Sequence, residues 1–104
     1  MSTGLIGNAD LLANTDTALG AAVGENMIVN VMMVNRGGAD VTARIAITSG
    51  GAPTAAEWIE YGATIPANGG VMERTGLALS QGERVYVRAS AATVSARAHG
   101  IPAA

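Results

Sequence analysis

In run after run of this chain apolar side chains recur at every second position, and turns rich in glycine, proline and asparagine cut the runs about every 8–12 residues. Val41, Ala43, Ile45 and Ile47 alternate with Thr42, Arg44, Ala46 and Thr48. Successive side chains of a strand point to opposite faces, so this period buries one face and wets the other. Segment 83–89 repeats it, with Val85 and Val87 inward and Arg84, Tyr86 and Arg88 outward. Segment 93–101 places Val94, Ala96 and Ala98 inward and Ser95, Arg97 and His99 outward. Segment 26–35 is apolar on both parities, which suits a central strand or one with a covered outer face. A weak first strand over 15–23, an alternation of Ile59, Tyr61 and Ala63, and a strand over 71–79 complete the set. About seven strands follow, the pattern of an all-β antiparallel β-sandwich. No helical run of about 10–15 residues separates them, which excludes a βαβ architecture.

The connections read in the same terms. The loop 36–40 is expected as a hairpin, its glycines supplying positive φ. Segment 49–53 breaks a strand, and Thr54 to Glu57 has the spacing of a capping box, enough for one turn before the chain extends again. Residues 1–14 fit neither period. Leu5-Ile6 and Leu11-Leu12 are apolar pairs, and a pair puts one residue on each side of an extended chain. Leaving four such side chains in water forgoes about 1.5–3 kcal/mol each. The segment is expected as an extended N-terminal arm over 1–14, laid on its own domain or on a neighbour, with the β-sandwich domain over 15–104.

Composition narrows the function. The chain has 104 residues and a formal charge of −2, with only 13% charged residues and 49% hydrophobic ones. A nucleic-acid binder carries a strongly basic footprint and a disordered chain is poor in apolar residues; neither description fits. No apolar run reaches the roughly 18 residues of a membrane span, and the first residues lack an export signal's charged start and apolar core. With no cysteine, disulfides, thiolate metal sites and thiol nucleophiles are excluded. The core has no Phe and leans on Ala, Val, Ile and Leu, so it is thin, and oligomerisation is expected to supplement it.

Candidate chemistry is sparse. His99 is the only histidine and no metal-ligand spacing surrounds it; no catalytic, cofactor or metal residues are assigned. The Gly-Gly pairs at 37–38, 50–51 and 69–70 precede neither Lys-Ser nor Lys-Thr and read as turn glycines. Glu57, Trp58, Glu60 and Tyr61 could line a sugar groove, the ring stacking and the acids accepting hydroxyls; the favoured reading has Trp58 plugging one end of the sandwich. Arg44, Arg84, Arg88 and Arg97 fall on outward positions together with Tyr86 and His99. If strands 41–48, 83–89 and 93–101 share a sheet they form one basic-aromatic face. Two readings of that face stand equal: a protein interface, where Arg and Tyr are enriched, or an ordinary wet face with arginine heads in water. Six arginines and no lysine favour the first, but a GC-rich genome gives the same skew.

The stretches 31–37 (VMMVNRG), 52–61 (APTAAEWIEY), 65–69 (IPANG), 73–77 (ERTGL) and 82–90 (GERVYVRAS) carry a resemblance that runs over about 4–100. Together they resemble a family of small virion proteins of tailed bacteriophages with an immunoglobulin-like β-sandwich. Segment 20–23 departs from that pattern, and Ala96 and Ala98 stand where larger aliphatics are usual. The resemblance implies a capsid decoration (cement) protein, located on the capsid surface of the virion and assembled in the bacterial cytoplasm. It further implies a homo-oligomer, a trimer first, bound to the major capsid protein or another virion protein, with no nucleic-acid or membrane partner. Leu5, Ile6, Leu11 and Leu12, with Arg44, Arg84, Tyr86, Arg88 and Arg97, are the expected interface. A glycan-binding module and a tail or neck accessory protein are the alternatives.

Overall fold

The computed structural model describes residues 4–103, and these contain eight strands and no helix. In chain order they are β1 (Gly4–Asp10), β2 (Thr17–Ala18), β3 (Met27–Asn35), β4 (Val41–Thr48), β5 (Trp58–Ile65), β6 (Gly70–Leu79), β7 (Arg84–Ala89) and β8 (Val94–Pro102). Two four-stranded antiparallel sheets hold them, ordered β1-β8-β3-β6 and β2-β7-β4-β5.

That order has a simple generator. The first strand lies beside the last, β2 beside β7, β3 beside β6 and β4 beside β5. The chain is thus one long hairpin turned between β4 and β5, then rolled until β8 also meets β3 and β7 meets β4. This is the winding of an eight-stranded jelly roll. An immunoglobulin-type sandwich instead keeps its last two strands side by side in one sheet; here β7 and β8 lie in opposite sheets. The two packed sheets are as expected, and the strand order differs. Alternation sets which face of a strand is buried and leaves its neighbour open.

Two local expectations change with it. The loop 36–40 is no hairpin: it carries the chain from β3 in one sheet to β4 in the other. Gly37 does not have the positive φ expected of it; a Cβ there would sit 2.9 Å from Cβ of Thr93. The expected arm is an edge strand over Gly4–Asp10, paired with β8. Residues 1–3 of that arm, and residue 104 of the domain, lie outside the described residues. Beyond β1 the chain changes sheets, with Leu11 N–H donating to Val94 C=O and Asn14 N–H to Ala89 C=O, both held by backbone.

The core lies between the sheets. Met27, Val29, Val31 and Met33 of β3 face Val41, Ala43 and Ile45 of β4, closed by Leu11, Leu19, Ile65, Val85, Val87, Val94 and Ala98. Asn35 takes the next inward position of β3 and is fully buried. Its Nδ2 donates to Ala39 C=O at 2.8 Å and Ile65 C=O at 3.2 Å. Its Oδ1 accepts from Gly37 N–H at 3.0 Å and Thr93 Oγ1 at 2.9 Å. All four capacities of the amide are used, so a buried polar group ties both sheets together at one end of the sandwich.

Candidate functional site

The outer faces of the two sheets carry different chemistry. On the β2-β7-β4-β5 sheet, ladder register places Tyr86, Ala46 and Trp58 in one row, and Arg88, Arg44 and Tyr61 in the next. All three aromatic residues of the chain stand there. Trp58 and Tyr61 meet edge to face, their centroids 5.8 Å apart at 74°. The Arg44 guanidinium carbon lies 3.9 Å from the Tyr61 centroid and 5.8 Å from that of Trp58, within cation–π range of both. Arg84 approaches Tyr86 at 5.7 Å and donates from Nε to Gly20 C=O at 2.7 Å. Ala46, expected outward and wet, does face outward but is fully buried, because its row neighbours are Trp58 and Tyr86. Trp58 therefore covers this face and does not plug the end of the sandwich.

The expected basic-aromatic face exists in part. Arg44, Arg84, Tyr86 and Arg88 share it, but β8 belongs to the other sheet, and Arg97 and His99 go with it. The premise of a three-strand sheet fails for that strand alone. Arg88 reaches Asp16 at 3.3 Å, whereas Arg44 has no hydrogen bond or ion pair among the described residues.

The suggested sugar groove loses both acids. The Glu57 carboxylate accepts from the N–H and hydroxyl of Thr54 at 2.9 and 3.0 Å and from Ser49 N–H at 2.9 Å. Those donors, the Thr54 and Ser49 amides foremost, hold its carboxyl below the ordinary range. The spacing 54–57 thus makes the single turn expected of it, closed by Glu57 N–H donating to Thr54 C=O. Glu60 sits across from inward-facing Ile45 and binds Arg74 of β6 through Nε at 2.9 Å and also through Nη2. It is a strut between the two sheets' edges, away from Tyr61.

The other sheet presents aliphatic side chains. Leu5, Ile28, Met32, Val71 and Ile101 are exposed by 50, 36, 36, 54 and 60%. Register puts them all on the outer face of β1-β8-β3-β6, where Arg97 lies between Asn8 and Met32. A groove of about 470 Å³ runs along it, lined by Met32, Val34, Val71, Ser95, Arg97 and Asn8 among others, with the Arg36–Asp10 ion pair (2.6 Å) beside Asp10 at its rim. His99 is half-buried here, opposite Leu5 and Asn30, and its Nδ1 is the one buried side-chain polar atom without a partner among the described residues. The four N-terminal aliphatics divide: Leu5 joins this face, Ile6 packs partly on the core, Leu11 is in the core and Leu12 is 67% exposed. Ile28, Met32, Val71 and Ile101 are the members that the sequence reading did not single out. The signal was present in segment 26–35, whose second apolar parity is this face.

Among the described residues no group of three or more His, Asp or Glu side chains stands close enough to hold a metal ion. No family model, no curated protein and no solved structure matches this chain.

Proposed function

We propose that the chain is a structural protein of a tailed-phage particle, a capsid decoration protein that assembles as a homo-oligomer and binds the shell. The observation that carries the reading is the division of labour between its outer faces. The aliphatic face mates copies of the chain with one another, since permanent homo-oligomeric interfaces are the more apolar kind. The face bearing Trp58, Tyr61, Arg44, Arg84 and Arg88 meets the shell, since aromatic residues and arginine are enriched where proteins recognise each other. The rolled two-sheet winding recurs in viral capsid and lectin domains, which supports the reading by fold analogy alone. Electron microscopy of purified particles tests it: density for this sandwich is expected on the outside of the shell, at symmetry axes if the oligomer is a trimer. Particles without the chain overturn the proposal, and density confined to the tail or neck moves it to an accessory role there.

Trp58 beside the 66%-exposed Tyr61 favours a second reading, a glycan-binding module on a particle or cell surface. Purified chain that binds immobilised glycans and ignores shells supports it against the first.

A further inference from the structure

Arg44 and Arg88 are directly opposite one another in the β4–β7 ladder. Directly opposed residues of antiparallel strands hold their Cβ atoms about 4.5–5.5 Å apart, and like charges in that relation are destabilising. A chain of net charge −2 thus concentrates two positive groups at one spot of its surface. Only one of the two is answered: Asp16 accepts from Nη1 of Arg88 at 3.3 Å, while Arg44 rests on Tyr61 and makes no ion pair among the described residues. Between the two guanidinium stems lies a pocket of about 30 Å³, lined by Asn14, Thr42, Arg44, Arg88, Ala89 and Ser90.

The rest of the lining supplies donors. The Ser90 hydroxyl oxygen accepts from Thr42 N–H at 2.9 Å, which leaves its own hydrogen free to donate. Asn14 is held in place by its backbone N–H at 2.7 Å from Ala89 C=O, in a left-handed conformation with φ 51°. Its side-chain amide and the Thr42 hydroxyl make no hydrogen bond among the described residues. Residues bearing two guanidinium groups, two hydroxyls and one amide therefore line a small opening. At about 30 Å³ the opening admits a small anionic group, and a carboxylate is the one that meets a guanidinium fork with two coplanar oxygens.

We propose that the pocket between Arg44 and Arg88 binds a single carboxylate, supplied in the assembly by an Asp or Glu side chain of a partner protein. The partner's role rests on the proposed shell contact; the pocket's chemistry does not, and it can be tested on the isolated chain. Acetate is the probe, followed by thermal unfolding at fixed pH and matched ionic strength against chloride. At ten times its dissociation constant, acetate is expected to shift the folding equilibrium about tenfold. Arg44→Gln abolishes that shift. Arg97→Gln, on the other sheet, keeps the full response. If Arg44→Gln fails to fold, amide NMR of the unaltered chain serves: acetate is expected to move the Asn14, Thr42 and Ser90 signals saturably. An acetate effect no larger than chloride's, or one that survives Arg44→Gln, overturns the site. Phosphate binding more tightly than acetate overturns the carboxylate assignment. Glucuronate binding more tightly than acetate makes the source an acidic sugar and overturns the protein partner. Failure to find the chain on particles bears on the proposed function and leaves these solution results standing.

Discussion

Asn35 shows how much one residue can decide. It continues the inward parity of Met27, Val29, Val31 and Met33, where an apolar side chain is the simplest choice. Its amide satisfies Gly37 N–H, Ala39 C=O, Ile65 C=O and the Thr93 hydroxyl instead. Asn35→Ala removes four hydrogen bonds and strands the buried Ile65 C=O, along with the less buried Gly37 N–H and Ala39 C=O. A loss of about 2–4 kcal/mol is expected, read from urea unfolding. A loss below about 1 kcal/mol shows that water replaces the amide and that the network is not what fixes the sheets. The sequence displays the parity but not the partners. Two of the four come from 30 and 58 residues away, and no local pattern encodes a meeting at that range. The same holds for Glu57 and Glu60: adjacency suggested a paired site, while the fold sends one acid to a turn and the other to an opposite strand.

At the scale of the element, β1 separates what alternation can and cannot reveal. The pairs Leu5-Ile6 and Leu11-Leu12 look like a failure of period two, yet each pair divides as an extended chain must. Ile6 packs toward the core and Leu5 outward; Leu11 is 1% exposed and Leu12 67%. A shift of register between Leu5 and Gly7 breaks the count along the strand, and Gly7 lies where a Cβ would strike the backbone of Gly20. The crossing of two backbone segments at glycines, one of them in the left-handed region, is what hides β1 from a one-dimensional reading. Two substitutions separate an arm from a structural strand. Leu11→Ala is expected to cost about 2–5 kcal/mol as a core cavity, and Leu12→Ala less than about 0.5 kcal/mol as a surface change. Equal small effects in urea unfolding show a segment that the domain does not need. Strands β3, β4, β7 and β8, by contrast, were legible almost to the residue, because each has a buried face long enough to fix its phase. Their assignment to sheets is not legible, since placing β8 with β4 and β7 rests on common sandwich topologies and on nothing in the strands themselves.

Taken whole, the molecule joins a core without Phe to a second apolar surface that its own chain leaves open. The core clusters aliphatic and methionine side chains between the sheets, while Leu5, Ile28, Met32, Val71 and Ile101 stand outside it on one face. Five exposed aliphatic side chains gathered on one face, with Arg97 among them, are the composition of a contact surface. If copies mate through this face, folding and association are linked, and apparent stability rises with concentration. For a trimer that unfolds to three chains, a tenfold rise in concentration adds about 0.9 kcal/mol per subunit, which is roughly 4–7 °C in Tm for a domain of this size. Met32→Lys puts a charge at the centre of the face, on a side chain already 36% exposed, so the fold tolerates it while the interface does not. The variant is expected to sediment as a monomer and to unfold at a temperature independent of concentration. A wild-type Tm that is flat across a hundredfold dilution series, with a monomer's sedimentation throughout, removes the homo-oligomer and leaves the aliphatic face to be covered by the shell protein alone.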